Sequence, residues 1–132
     1  MIKGIDHVGI AVPNIDNTVS FFKETFNAKE ISRTDYPDLQ QVSVKVNLNG
    51  TTELELMQPT GSDGPIGKFM DKHKRGGYHH ISIACENIKS FVEELEKKGL
   101  TIIGKNFDSP PKVAFIHPKS AMGLLIELKE TG

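Results

Sequence analysis

The sequence predicts an α+β fold built from two tandem βαβββ modules, and three observations carry that prediction. The segment Gly4-Ile5-Asp6-His7-Val8-Gly9-Ile10-Ala11 returns as Gly77-Tyr78-His79-His80-Ile81-Ser82-Ile83-Ala84, so that His80 stands 73 positions after His7. Leu54-Glu55-Leu56 returns as Ile126-Glu127-Leu128, 72 positions further on. Within each half the apolar period changes from two to about 3.6 and back to two, the signature of a strand, a helix and further strands.

Residues 4–12 read as a strand, with Val8, Ile10 and Val12 alternating with His7, Gly9 and Ala11. Pro13 and Asn14 close it, and Asn14 or Asp16 can cap a helix whose stripe is Ile15, Val19, Phe22 and Phe26. Lys29–Arg33, Val42–Leu48 and Thr52–Gln58 follow as strands, the last two joined by the hairpin signal Asn49-Gly50. In the second half Tyr78–Cys85 is a strand, and Ile88, Phe91, Val92 and Leu95 mark a helix that Gly99 can end. Leu100–Gly104, Lys112–His117 and Leu124–Lys129 complete the order. Between the halves a short helix runs from Pro65 to about Lys74, and Gly76-Gly77 ends that linker. The chain is thus expected to be a single domain of 132 residues: module one at about 1–60, a linker helix at about 61–76, and module two at about 77–132. The paired three-strand returns predict a curved mixed sheet around a cleft.

Composition narrows the partners. A net charge of −1 exerts no general attraction on nucleic acid or anionic membrane, so neither is an expected partner. The one cysteine, Cys85, has no internal disulfide mate, and the sequence shows neither a signal peptide nor an apolar run of spanning length, which together predict a cytoplasmic protein.

Strand alternation then sorts the candidate ligands. Val8, Ile10 and Val12 form the bulky face expected to meet the helix, which puts His7 on the opposite face beside Gly9 and Ala11. By the same rule His80 shares a face with Ser82 and Ala84, whereas His79 sides with Ile81, Ile83 and Cys85 and is expected to be packed. Glu55 and Glu127, each flanked by apolar residues, point away from the helix side. A single strand-borne His or Glu is ordinarily structural or solvated. Two of each, repeated on matching faces, predict a His2Glu2 metal-binding cleft made by His7, Glu55, His80 and Glu127. Such a donor set suits one borderline divalent ion, Zn²⁺, Co²⁺, Ni²⁺, Mn²⁺ or Fe²⁺. His73 lies among Lys72, Lys74 and Arg75 and reads as solvated; His117, Lys119 and Ser120 form either a simple turn or a polar rim for an anionic substrate.

These residues resemble the vicinal oxygen chelate superfamily (glyoxalase I, methylmalonyl-CoA epimerase, extradiol dioxygenases and bleomycin-resistance proteins) over essentially the whole chain. The epimerase branch is most similar, through Ile5–Val12, Glu53-Leu54-Glu55-Leu56-Met57, Pro65-Ile66-Gly67-Lys68-Phe69, Gly77-Tyr78-His79-His80-Ile81, His117-Pro118-Lys119-Ser120 and Gly123–Leu128. The resemblance implies a glyoxalase-like fold, metal ligation by His7, Glu55, His80 and Glu127, and a homodimer. It implies an isomerase that removes a proton beside a metal-stabilised carbonyl, with Glu127 as the catalytic base and an acyl-CoA substrate. A glyoxalase I-like lyase acting on a hemithioacetal is the alternative, and a metal-free binding or resistance protein is a further one. A ring-cleaving dioxygenase would use two His and one carboxylate, which leaves Glu55 unexplained. Two stretches depart from the epimerase pattern. Asn106-Phe107-Asp108-Ser109-Pro110-Pro111 replaces a Gly-Ala-His-Gly-type loop, and no Asp or Glu stands between Asp38 and Glu53, where some epimerases carry a second catalytic carboxylate near Ser43–Lys45.

Overall fold

The structure, a computed structural model, describes residues 1–132. Its elements follow the predicted order: β1 (Ile2–Ala11), α1 (Ile15–Phe26), β2 (Lys29–Tyr36), β3 (Gln41–Asn47), β4 (Glu53–Pro59), α2 (Pro65–Lys72), β5 (Gly77–Cys85), α3 (Ile88–Lys97), β6 (Ile102–Asn106), β7 (Val113–Ile116) and β8 (Ile126–Glu130). This is a mixed α+β fold in two compact units, His7–His79 and Met1–Asp6 with His80–Gly132. The opening residues therefore belong with the second half of the chain. Local bonds explain why: Met1 O accepts from Glu86 N at 2.9 Å, Lys3 Nζ donates to Thr131 O at 3.1 Å, and Lys129 Nζ reaches Asp6 at 3.1 Å.

In the unit His7–His79 the strand order is β2-β3-β4-β1, with β1 parallel to β4 and the other pairs antiparallel. Ile15 and Val19 of α1 pack on Val12, Val44, Val46 and Leu56, the helix side foreseen from alternation. Ala11 and Met57 point to the other face, where Ile66 of α2 joins them in a smaller cluster. Asn14 caps α1 by accepting from Asn17 N at 2.9 Å, and Gln58 Oε1 takes the Ile15 N–H at 2.7 Å. Gly76 has φ +78°, and a Cβ there would collide with the Ala11 carbonyl oxygen, so the end of the linker tolerates only glycine.

The other unit repeats the plan in the order β1-β5-β8-β7-β6, with β5 parallel to β8. Ile88 and Val92 of α3 pack on Cys85, Ile102, Ala114, Ile116 and Leu128. The helix start is solved differently. Asn87 lies in the left-handed region and makes no side-chain cap, and Glu130 Oε1 takes the Ile88 N–H at 3.0 Å. Gln58 and Glu130 are repeat mates, 72 positions apart, so both modules send a residue from the last strand to cap their helix.

Candidate metal centre

Each unit presents one buried histidine with a carboxylate beside it. In the first, Gly9 of β1 and Lys45 of β3 flank Glu55 of β4 in register, and Gly9 places no side chain beside the carboxylate. His7 is 4% exposed, and its Nε2 lies 3.7 Å from Glu55 Oε1. In the second, Ser82 of β5 and Phe115 of β7 flank Glu127 of β8. His80 is 5% exposed and offers a ligand nitrogen within 4.8 Å of a Glu127 carboxylate oxygen. Leu56 and Leu128, next in sequence to these glutamates, are buried on the helix side, which turns Glu55 and Glu127 to the opposite face.

The donors have the right chemistry for a divalent ion. Imidazole with carboxylate at such spacing suits borderline metals, and burial of both histidines limits competition from water. His79 plays another part. Its ring stands edge-on to Phe69 with centroids 5.2 Å apart, and burial lowers its pKa, which keeps it neutral. His73 is exposed as expected, its ring stacks on that of Phe69 with centroids 4.1 Å apart, and its Nδ1 lies 3.1 Å from Phe69 O.

The residues expected at a substrate rim do turn work. His117 Nδ1 accepts from Lys119 N at 3.0 Å, opening the 3-10 turn Pro118–Ser120, and Ser120 Oγ accepts from Thr101 N at 2.9 Å. Only Lys119 is exposed there. In the departing loop, Asn106 Nδ2 donates to Ser109 O at 3.1 Å and Pro111 O at 3.0 Å, closing it on itself. Two features on the ligand-bearing faces carry more than their sequence context suggested. Ser82 donates its hydroxyl to Glu127 Oε1 at 2.7 Å, and half-buried Lys45 is the direct cross-strand neighbour of Glu55. Ser82 answers Gly9 at the repeat offset, whereas Phe115 answers Lys45 only through the ladder register beside each glutamate.

A fold of two βαβββ units matches what comparison with known proteins finds. Residues 6–120 match the Glyoxalase/Bleomycin resistance protein/Dioxygenase superfamily, and the chain belongs to that family. Within it, the chain is 36% identical over 129 residues to the mitochondrial methylmalonyl-CoA epimerase of Homo sapiens, covering 96% of this chain and 73% of that protein. It is 31% identical to the ethylmalonyl-CoA/methylmalonyl-CoA epimerase of Cereibacter sphaeroides, covering 98% and 99%. A Streptomyces coelicolor methylmalonyl-CoA epimerase variant in complex with 2-nitronate-propionyl-CoA superposes with a TM-score of 0.88 at 25% identity, covering 100% of this chain and 99% of that one. These similarities favour the epimerase branch over a glyoxalase I-like lyase. No helix is long and apolar enough to cross a membrane.

Proposed function

We propose that this chain is a metal-dependent methylmalonyl-CoA epimerase in which His7, Glu55, His80 and Glu127 hold one divalent ion. The observation that carries the reading is the repeated pairing of a buried histidine with a strand-borne glutamate, in a chain whose similar relatives are epimerases of 2-alkylmalonyl thioesters. When bound, such an ion supplies Lewis-acid stabilisation of the negative charge that develops on the thioester oxygen.

Glu127 is the base in this reading. The bond between the 2-carbon and its hydrogen breaks, the proton passes to the Glu127 carboxylate, and the electron pair moves to the thioester oxygen. Water returns a proton from the opposite face, which inverts the centre, and the proton held by Glu127 then passes to solvent and neutralises the hydroxide left behind, restoring the carboxylate. The same first step followed by protonation at a neighbouring carbon would be glyoxalase-type chemistry, so the outcome depends on substrate. His117, Lys119 and Ser120 contribute at most one exposed cation, Lys119, to holding an anionic part of the acyl-CoA. The single thiol, Cys85, is buried and free, as suits the cytoplasm. A homodimer would cover β2, exposed along all eight residues with Ile31 at 52%, and sedimentation of the purified protein tests it.

The deciding experiment is solvent deuterium exchange with methylmalonyl-CoA beside a hemithioacetal conversion assay, both on metal-replete protein. Deuterium should enter the 2-position as the centre inverts, with no hemithioacetal turnover. Hemithioacetal conversion without exchange into methylmalonyl-CoA would overturn the assignment.

A further inference from the structure

The repeat brings a glutamate to the same rung of both units and then treats the two differently. Glu127 sits across from Ser82 in the β5–β8 ladder; Glu55 sits across from Gly9 in the β1–β4 ladder. Ser82 is 0% exposed, and its hydroxyl donates to Glu127 Oε1 at 2.7 Å. A hydroxyl with no access to water needs a protein partner, and a carboxylate makes that bond charge-assisted and short. Glycine at the equivalent position provides no such donor.

From this asymmetry, and resting on the metal reading above, we infer that Ser82 is a positioning residue that holds Oε1 of Glu127 and so fixes the orientation of its carboxylate for ligation. The two glutamates are then chemically unequal. Restraint by Ser82 removes rotamer freedom that Glu127 would otherwise lose on ligation, so metal affinity gains as well as orientation. A partner hydrogen-bonded to a ligating carboxylate commonly changes metal affinity by about 10- to 100-fold.

Titration with Co²⁺ tests this without turnover, because visible absorption reports both affinity and ligand geometry. Ser82→Ala should raise the Co²⁺ dissociation constant about 10- to 100-fold and alter the spectrum. Ser82→Gly, which copies the first module, should do the same. In a Glu127→Ala background, adding Ser82→Ala should change affinity by less than about threefold, since the carboxylate through which it acts is gone. A Ser82→Ala protein that unfolds at lower temperature in its metal-free form, yet keeps the wild-type Co²⁺ affinity and spectrum, would show a purely structural role and overturn the inference. A full tenfold further loss in the Glu127→Ala background would overturn it as well. Wild-type protein that binds Co²⁺ but exchanges no proton of methylmalonyl-CoA overturns the epimerase reading alone; wild-type protein that binds no Co²⁺ overturns both.

Discussion

Adjacent histidines offer a sharp test, because His79 and His80 should fail in different ways. His80 is 5% exposed with a ligand nitrogen within 4.8 Å of a Glu127 carboxylate oxygen, whereas His79 is half-buried with its ring 5.2 Å from that of Phe69. Binding of a divalent ion to a four-ligand site is worth roughly 10–16 kcal/mol, or about 3 kcal/mol per ligand, so His80→Ala should weaken metal binding by roughly two to three decades. His79→Ala loses an edge-to-face contact of about 0.5–1.5 kcal/mol and part of its buried area, about 2 kcal/mol in all. For a chain of this size that lowers the unfolding midpoint by roughly 5–10 °C. The assay is paired: competition with a chromophoric chelator for affinity, and calorimetry with and without metal. Because a ligand that binds only the folded state raises its stability, His79→Ala should keep the wild-type metal-induced rise in midpoint and His80→Ala should lose it. Equal losses of metal in the two variants would refute the assignment of faces on β5.

The remaining expectations address the base, the acid limb and the charge beside the site. Glu127→Gln should retain measurable metal yet lose deuterium exchange into methylmalonyl-CoA by about 100-fold or more, read by mass spectrometry; full exchange would remove Glu127 as the base. The Ile88 N–H, followed by Lys112, holds the Glu130 carboxyl below the usual glutamate range. Its contribution to stability is therefore present above that range and is lost as pH falls through the depressed folded value. Urea midpoints of wild type and Glu130→Gln should differ at about pH 7, and the gap should narrow as pH falls below the usual glutamate range; a gap that widens in acid would contradict the sign. Lys45→Met removes a cation that neighbours Glu55 in the β3–β4 ladder, and the KM for the acyl group, which carries one carboxylate, should rise about 3- to 10-fold with kcat less affected. A kcat loss at unchanged KM would instead place Lys45 in the chemistry.

Order, helix sides and ligand faces were legible because all three depend on local periodicity, and duplication supplied each of them twice. Boundaries were less so, where backbone bonding overrides pattern. β2 runs on to Tyr36, beyond the expected Arg33, since ladder bonds to β3 as far as Tyr36↔Gln41 require no buried side chains. β6 begins at Ile102 because the Leu100 N–H is taken by Leu95 O at the end of α3. β8 begins at Ile126 because Leu124 N closes a turn onto Ala121 O, with Met122 and Gly123 at positive φ.

The repeat also explains why the candidate metal ligands were easier to find than the chemistry around them. Two copies constrain what they share, and they share the His, the Glu and the residue that caps the helix from the last strand, Gln58 or Glu130. The proposed reaction at a single carbon calls for asymmetry, with one glutamate taking a proton while the other remains a ligand. That asymmetry can enter only where the copies disagree. At the rungs that hold the glutamates they disagree at Gly9 against Ser82 and at Lys45 against Phe115, so one module supplies a hydroxyl to its carboxylate and the other a neighbouring cation. Periodicity does not see such differences, because each residue type is acceptable on a strand. They become visible only when the two ladders are laid rung on rung. Exchanging them, with Gly9→Ser and Ser82→Gly together, should move the restrained carboxylate from Glu127 to Glu55. If Glu127 still dominated proton exchange in that double variant, the division of labour would have to come from outside the ladders.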